Sequence, residues 1–457
     1  MGAASPSDSS GGTTAVPPVP SPESPARVPL SPFENLWCQM HDLYDGDGIG
    51  AIVTRIRGCI EEEPLRTALS RLQQRHPKLR ARVVILKDGR RYFEVPSAAP
   101  AIPLTIVDFD TGPAPWLPET YRILSARMDT ATAPLARMLL LRNRREGACH
   151  LSFIAHHAIM DATSMVRIVD DLLEFHREVE AGGTLAPVVP RPLFSVPRAT
   201  VTGSWRQRLA VLIRMGRNRA SKRRGQWITL PEDKQAGACP RWERHVFTEE
   251  ETRALAERCR EERSTTGSAL YAAAICALAD VVPQKRIRVR CALPFSMRSL
   301  LTGPEGPVTS QDLGCFIGGY DVETVMPDGA PPFWDIGREV WRDIEAFIKA
   351  SAPQILYNIL PFIKFSKNRR LPKRDTLSVN YLGVARVRGQ YGRLSLEECM
   401  TLAKGSHVGP SLNVWAMTTR GRLCVWLGCG DVQAEFTDRY WQAVLKQLRG
   451  AMAPRAP

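Results

Sequence analysis

Apolar positions along this chain fall into two kinds of spacing, and their order predicts mixed helices and strands. Pro64 to Arg75 places Leu65, Ala68, Leu69 and Leu72 on one helical face, and Met165 to Glu178 does the same with Met165, Ile168, Val169, Leu172, Leu173 and Phe175. Between them, Ala148 to Ala155 reads as a buried strand, and the turn at His76-Pro77 leads into another at Arg82-Val83-Val84. Further on, Thr265 to Ala279 is an alanine-rich helix with Ser264 or Thr265 as its cap. Arg286 to Leu293, Leu377 to Tyr381, Ser411 to Met417 and Arg422 to Leu427 read as strands, the last two joined by a turn at Arg420-Gly421. This order predicts two α/β lobes better than one doubly wound sheet.

Other stretches break the pattern and mark boundaries. Residues 1–30 are rich in Ser, Pro, Gly and Ala without periodicity, which predicts a disordered tail. A proline-dense stretch, Pro187 to Pro197, followed by a basic segment predicts a linker over 187–228. The expected division is therefore a tail, an N-terminal lobe over 31–186, the linker, and a C-terminal lobe over 229–457. A chain of 457 residues exceeds what one core supports, in keeping with two lobes.

Composition narrows the environment. No run of about eighteen apolar residues spans a membrane, and the start lacks the basic and apolar regions of a secretory signal. Eleven cysteines lack a CxxC pair; Cys276, Cys291, Cys315 and Cys424 sit in apolar runs, as free thiols do in a reducing cytoplasm. The formal charge of +14 is concentrated in two clusters. One holds Arg206, Arg208, Arg214, Arg217, Arg219, Lys222, Arg223 and Arg224; the other holds Lys364, Lys367, Arg369, Arg370, Lys373 and Arg374. Neither is interleaved with aromatics as a stacking platform for nucleic acid requires, so nucleic acid is disfavoured. Solvated faces rank first for these clusters. Docking of an acidic carrier protein or of coenzyme A phosphates ranks second. Contact with anionic lipid through Trp205, Leu209, Leu212, Ile213 and Met215, with the apolar run Ile355 to Phe365 beside the second cluster, ranks third.

The strongest chemical signal is His156-His157-Ala158-Ile159-Met160-Asp161, set between a predicted strand and a predicted helix. Histidine titrates near neutrality and can take and return a proton. A carboxylate four residues on can reach back to an arginine or to the imidazole. On these residues alone, a general base, two metal ligands at i, i+4, and a plain polar loop are evenly matched. His41, His76, His150, His176, His245 and His407 show no metal-type pairing, which lowers the metal reading.

The HHAIMD sequence resembles the HHxxxDG motif of the condensation-domain superfamily, whose fold is that of chloramphenicol acetyltransferase. Three minor motifs follow the family's order. Arg75-His76-Pro77-Lys78-Leu79-Arg80 is similar to the RHxxLR segment, Asp312 to Gly318 to the Gly-x-Phe-Val-Asn segment, and Asn380-Tyr381-Leu382-Gly383 to the NYLG segment. The resemblance implies two lobes forming a V around a central tunnel, with a stand-alone acyltransferase as the activity. In that scheme His157 is the general base, His156 supports the loop, and Asp161 is anchored by Arg298 from the other lobe. Asn380, Ser378 and main chain near Gly383 are candidates for the oxyanion. The co-substrate is an acyl-CoA or phosphopantetheinyl thioester, with no tightly bound cofactor or metal, and the acceptor is a small hydroxyl or amine compound. Ala162 stands where the motif has glycine and Gly318 where asparagine is common. These two departures motivate a rival reading as a non-catalytic scaffold; a membrane-associated lipid acyltransferase is the third.

Overall fold

A computed structural model describes residues 25–44, 46–109, 115–202, 204–206, 209–210, 213, 228–233, 241–283, 287–326, 331–363, 376–404 and 410–453. The second basic cluster lies outside these residues, as does most of the first. The N-terminal half runs β1 (Ala26–Pro29), α1 (Pro32–Leu43), β2 (Ile49–Arg57), α2 (Glu62–Arg75), β3 (Arg82–Ile85), β4 (Arg91–Val95), β5 (Leu104–Asp108), α3 (Trp116–Ser125), β6 (Ala136–Asn143), β7 (Ala148–His156) and α4 (Ala162–Glu180). The C-terminal half runs β8 (Arg241–Val246), α5 (Glu249–Glu261), α6 (Thr266–Val281), β9 (Ile287–Ser296), β10 (Thr302–Gly303), β11 (Gly306–Pro307), β12 (Ile317–Met326), α7 (Phe333–Lys349), α8 (Ala352–Ile359), β13 (Leu377–Val384), β14 (Gln390–Tyr391), β15 (Leu394–Ala403), β16 (Leu412–Thr419), β17 (Arg422–Cys429) and α9 (Ala434–Met452).

Each lobe is built on a six-stranded sheet, in the orders β14-β15-β2-β7-β6-β5 and β12-β9-β13-β16-β17-β8. The first core gathers the inward faces of β2, β6 and β7 with Leu65, Leu69 and Leu72 of α2 and Ile168, Leu172 and Leu173 of α4. The second surrounds α6, where every residue from Ser268 to Leu278 is buried. Its small side chains let the helix sit between the sheet and its helical neighbours, and Thr265 caps it by accepting from the Ser268 amide.

Three expected boundaries move. Residues 25–30 of the expected tail are part of the fold, because β1 pairs with β4 and Arg27 reaches the buried carboxylate of Glu94, while residues 1–24 lie outside the described residues. The C-terminal segment is not confined to its own lobe, because β15 crosses to pair antiparallel with β2 and covers that edge of the N-terminal sheet. The start of the expected linker is a packed strap rather than a tether. Phe194, Val196 and Ala199 are buried with Met297 and Phe316, while Tyr357 donates to the Val196 carbonyl and Asn358 bonds Ala199 through both its amide groups. Ten cysteines of the described residues are free thiols, all but Cys59 fully buried.

Candidate active site

The motif loop starts where β7 ends. Strand β7 is buried along almost its full length and delivers His156 to the edge of the sheet, beyond which the chain turns into α4. Asp161 is the N-cap of that helix, its carboxylate accepting from the Ser164 amide at 2.8 Å. The loop geometry therefore follows from a helix start signal that also carries the chemistry.

Asp161 receives more than the helix. Arg298, from the turn after β9, donates to its Oδ1 at 2.6 Å, and the Phe316 amide donates to Oδ2 at 3.0 Å. Arg298 also reaches the Ser164 hydroxyl and the carbonyls of Thr309 and Asp312, each at 2.9 Å, and lies over the Phe316 ring. Burial alone would raise the Asp161 carboxyl, but the guanidinium and the amide donors overrule it and hold the group ionised, below its usual range. The expected Arg298 partnership is thus present, and it ties the two lobes together at the motif. No described residue bridges Asp161 to the imidazoles by a hydrogen bond, so its part is to anchor the loop.

The two histidines differ sharply. His156 is fully buried; its Nδ1 accepts from the Ala158 amide at 3.0 Å, its Nε2 has no partner, and its ring meets the edge of His41. Burial, with His41 and His157 beside it, keeps it neutral far below the usual imidazole range. His157 is half-buried. Its amide donates to the Gly48 carbonyl at 2.6 Å, its ring stacks on Trp37, and its Nδ1 lies 3.6 Å from the Cys315 sulfur. Burial lowers its pKa, opposed by the nearby Asp161 charge and by main-chain hydrogen bonding at His157 and Met160. Among the described residues the hydrogen-bond contact of its ring is at Nδ1, and none is made at Nε2.

Against known proteins, residues 49–194 match the condensation-domain family model. Over 213 residues the chain is 26% identical to the chondramide synthase of Chondromyces crocatus, covering 45% of this chain and 5% of that much longer protein. The fold is that of the epimerization domain from the third module of tyrocidine synthetase B, with a TM-score of 0.68 at 16% identity over 94% of this chain and 96% of that one. It is equally that of the trichothecene 15-O-acetyltransferase of Fusarium sporotrichioides, with a TM-score of 0.70 at 11% identity over 94% and 96%. Residues 49–194 thus match the condensation-domain pattern, within a fold that the chain shares with these proteins.

Within this condensation-domain fold the minor motifs have separate duties. The Arg75-to-Arg80 segment fastens α4 from outside: His76 bonds Asp171 at 2.8 Å with Arg75 beside it, and Lys78 pairs with the buried Glu34 of α1 at 2.6 Å. The Gly314-Cys315-Phe316 stretch forms one wall of the motif loop, with Ser164 bonding both polar groups of Gly314's main chain. Asn380 and Ser378 do not join the loop. The Asn380 amide donates to the Ser378 hydroxyl at 2.8 Å within β13, and among the described residues no hydrogen bond connects either, or Gly383, with His157.

Both departures from the family pattern have physical accounts. Alanine fits at position 162, because Ala162 occupies the first turn of α4 and is absent from the positive-φ residues, where alanine would be costly. At Gly318 a Cβ would lie 2.9 Å from the Met297 sulfur and 3.0 Å from Phe295, so a side chain there requires both neighbours to move. Sequence reading named Cys315 and His41 without giving them a part in this site, and did not name Trp37 or Ser164. Ser164 had a signal, standing three residues after an aspartate at a helix start; Trp37 and His41 arrive from α1, over a hundred residues away, with none.

Proposed function

We propose that this protein transfers an acyl group from a thioester, coenzyme A- or carrier protein-bound, to the hydroxyl or amine of a small acceptor, in specialised-metabolite biosynthesis. The observation that carries the reading is the state of His157: neutral, half-exposed, braced on one nitrogen and open on the other. In this scheme Nε2 takes the acceptor proton as the oxygen or nitrogen bonds the thioester carbonyl carbon. The tetrahedral intermediate then collapses, the C–S bond breaks, and the imidazolium returns the proton to the departing thiolate. The histidine ends as it began, the sulfur leaves as a free thiol, and no covalent enzyme intermediate is needed.

Asp161 and Arg298 do not touch the reacting atoms in this mechanism. They fix the loop from which the imidazole projects, and their mutual neutralisation keeps a bare carboxylate from the base. The scaffold alternative loses its stated motive at Ala162, whose backbone is ordinary helix. The test is thiol release and product mass from the full chain with a panel of acyl thioesters and alcohols or amines. His157→Ala should lose about 100- to 10,000-fold in kcat/KM while keeping its far-UV spectrum. Unchanged turnover in that variant would sink the assignment.

A further inference from the structure

We infer that Trp37 is a positioning residue for His157, serving as the aromatic face that steadies the imidazole and meets the positive charge the ring takes on with the acceptor proton. This deepens the general-base reading above and rests on it. The two rings lie nearly parallel, 8° apart with centroids separated by 4.5 Å. Trp37 comes from α1, and the contact is made possible by Gly48: its φ is +88°, and a Cβ there would sit 3.0 Å from the Trp37 ring. The same Gly48 accepts the His157 amide hydrogen bond at 2.6 Å. One glycine therefore holds the base's main chain while leaving room for the indole that covers its ring.

Two observations argue for the ring face rather than for ordinary packing or a hydrogen bond. First, the indole N–H is buried and has no hydrogen-bond partner among the described residues, so none of them holds the side chain by its polar atom. Second, the carboxylate whose charge reaches His157, that of Asp161, gives an imidazolium no hydrogen bond. Asp161 has its oxygens occupied by Arg298 and the Ser164 and Phe316 amides. His156 is neutral, and burial holds the Cys315 thiol protonated. An indole face carries negative quadrupole density toward whatever lies over it, and it attracts a cation without adding a competing base. The stack also restricts rotation of the ring, so Nε2 keeps one direction.

The test follows the His157 ring itself as well as turnover. The full chain is labelled with ¹⁵N-histidine, and the His157 signal is assigned by its loss in His157→Gln. Titration and kinetics are then compared for wild type, Trp37→Phe and Trp37→Leu. The leucine keeps the site dry but removes the π face. Its His157 midpoint should fall by about half a pH unit, with kcat down roughly tenfold and KM little changed. Phenylalanine should restore most of both. A leucine variant whose midpoint is unchanged or higher overturns the inference, as does a phenylalanine variant as impaired as leucine. Retained turnover in His157→Ala would instead refute the base reading, a result the titration of Trp37 variants does not mimic.

Discussion

The loop at the end of β7 and the strand β13 carry two motifs of the same family pattern, yet they are held in opposite ways. Around His156 to Asp161, the groups are fixed from elsewhere in the chain: Gly48, Trp37, Arg298 and Phe316 each come from a different segment. In β13, Asn380 is satisfied by Ser378, two residues away in the same strand. A loop braced by distant partners costs ordering entropy at each one and is preorganised as a result. A pair that satisfies itself needs nothing beyond its strand. The contrast separates residues that build a reactive geometry from residues that complete a sheet.

The largest effect on the braced side should come from Arg298→Met. It strips a buried carboxylate of the cross-lobe cation that pairs with it, and breaking such a pair costs about 3–5 kcal/mol. Denaturant unfolding of the full chain should register that loss. The double variant Asp161→Asn/Arg298→Met should recover much of it, since no unpaired charge remains buried. If the single and double variants are equally destabilised, the bond is not what braces the loop. The Asp161 carboxyl should also rise in the single variant, because burial would then act without the opposing guanidinium.

Much of this arrangement was legible in sequence, though unevenly. The strand-loop-helix around HHAIMD was readable from local spacing, whereas the Asp161–Arg298 partnership was readable only through the family resemblance. The helix over Pro64 to Arg75 was placed by periodicity alone, and the structure begins it two residues earlier, at Glu62. The crossing of β15 onto β2 was hidden, since a strand's own pattern does not name the sheet it joins. Trp37 was hidden for a related reason: an aromatic on α1 reads as core until the fold sets it against the imidazole.

Acid should loosen the braced loop before it affects β13. Burial holds His156 neutral, with its folded pKa depressed well below 6.5. A depressed histidine contributes stability that is present above its unfolded pKa and is lost as pH falls through the folded value. His41 and His76 shift in the same direction, also through burial. Unfolding free energy should therefore decline steadily below pH 6.5. His156→Asn should reduce that slope by up to one proton, about 1.4 kcal/mol per pH unit. An identical slope in the variant would mean that His156 is protonated without cost and that the loop tolerates charge. The Asp161 and Asp171 carboxyls, both held low, add to the decline only below about pH 3.8.

The smallest expected effect is the sharpest check on the comparison. Asn380→Ala removes a buried donor whose partner among the described residues, the Ser378 hydroxyl, can turn to another acceptor. Stability should fall by about 1 kcal/mol, and kcat/KM by less than about threefold. A donor to the oxyanion behaves differently, because its bond strengthens as charge develops on the substrate and its loss costs about 100- to 1,000-fold in kcat. Such a loss with folding intact would bring β13 into the chemistry and end the division between the two regions. A near-silent variant would keep β13 outside the chemistry and leave the division between the two regions standing.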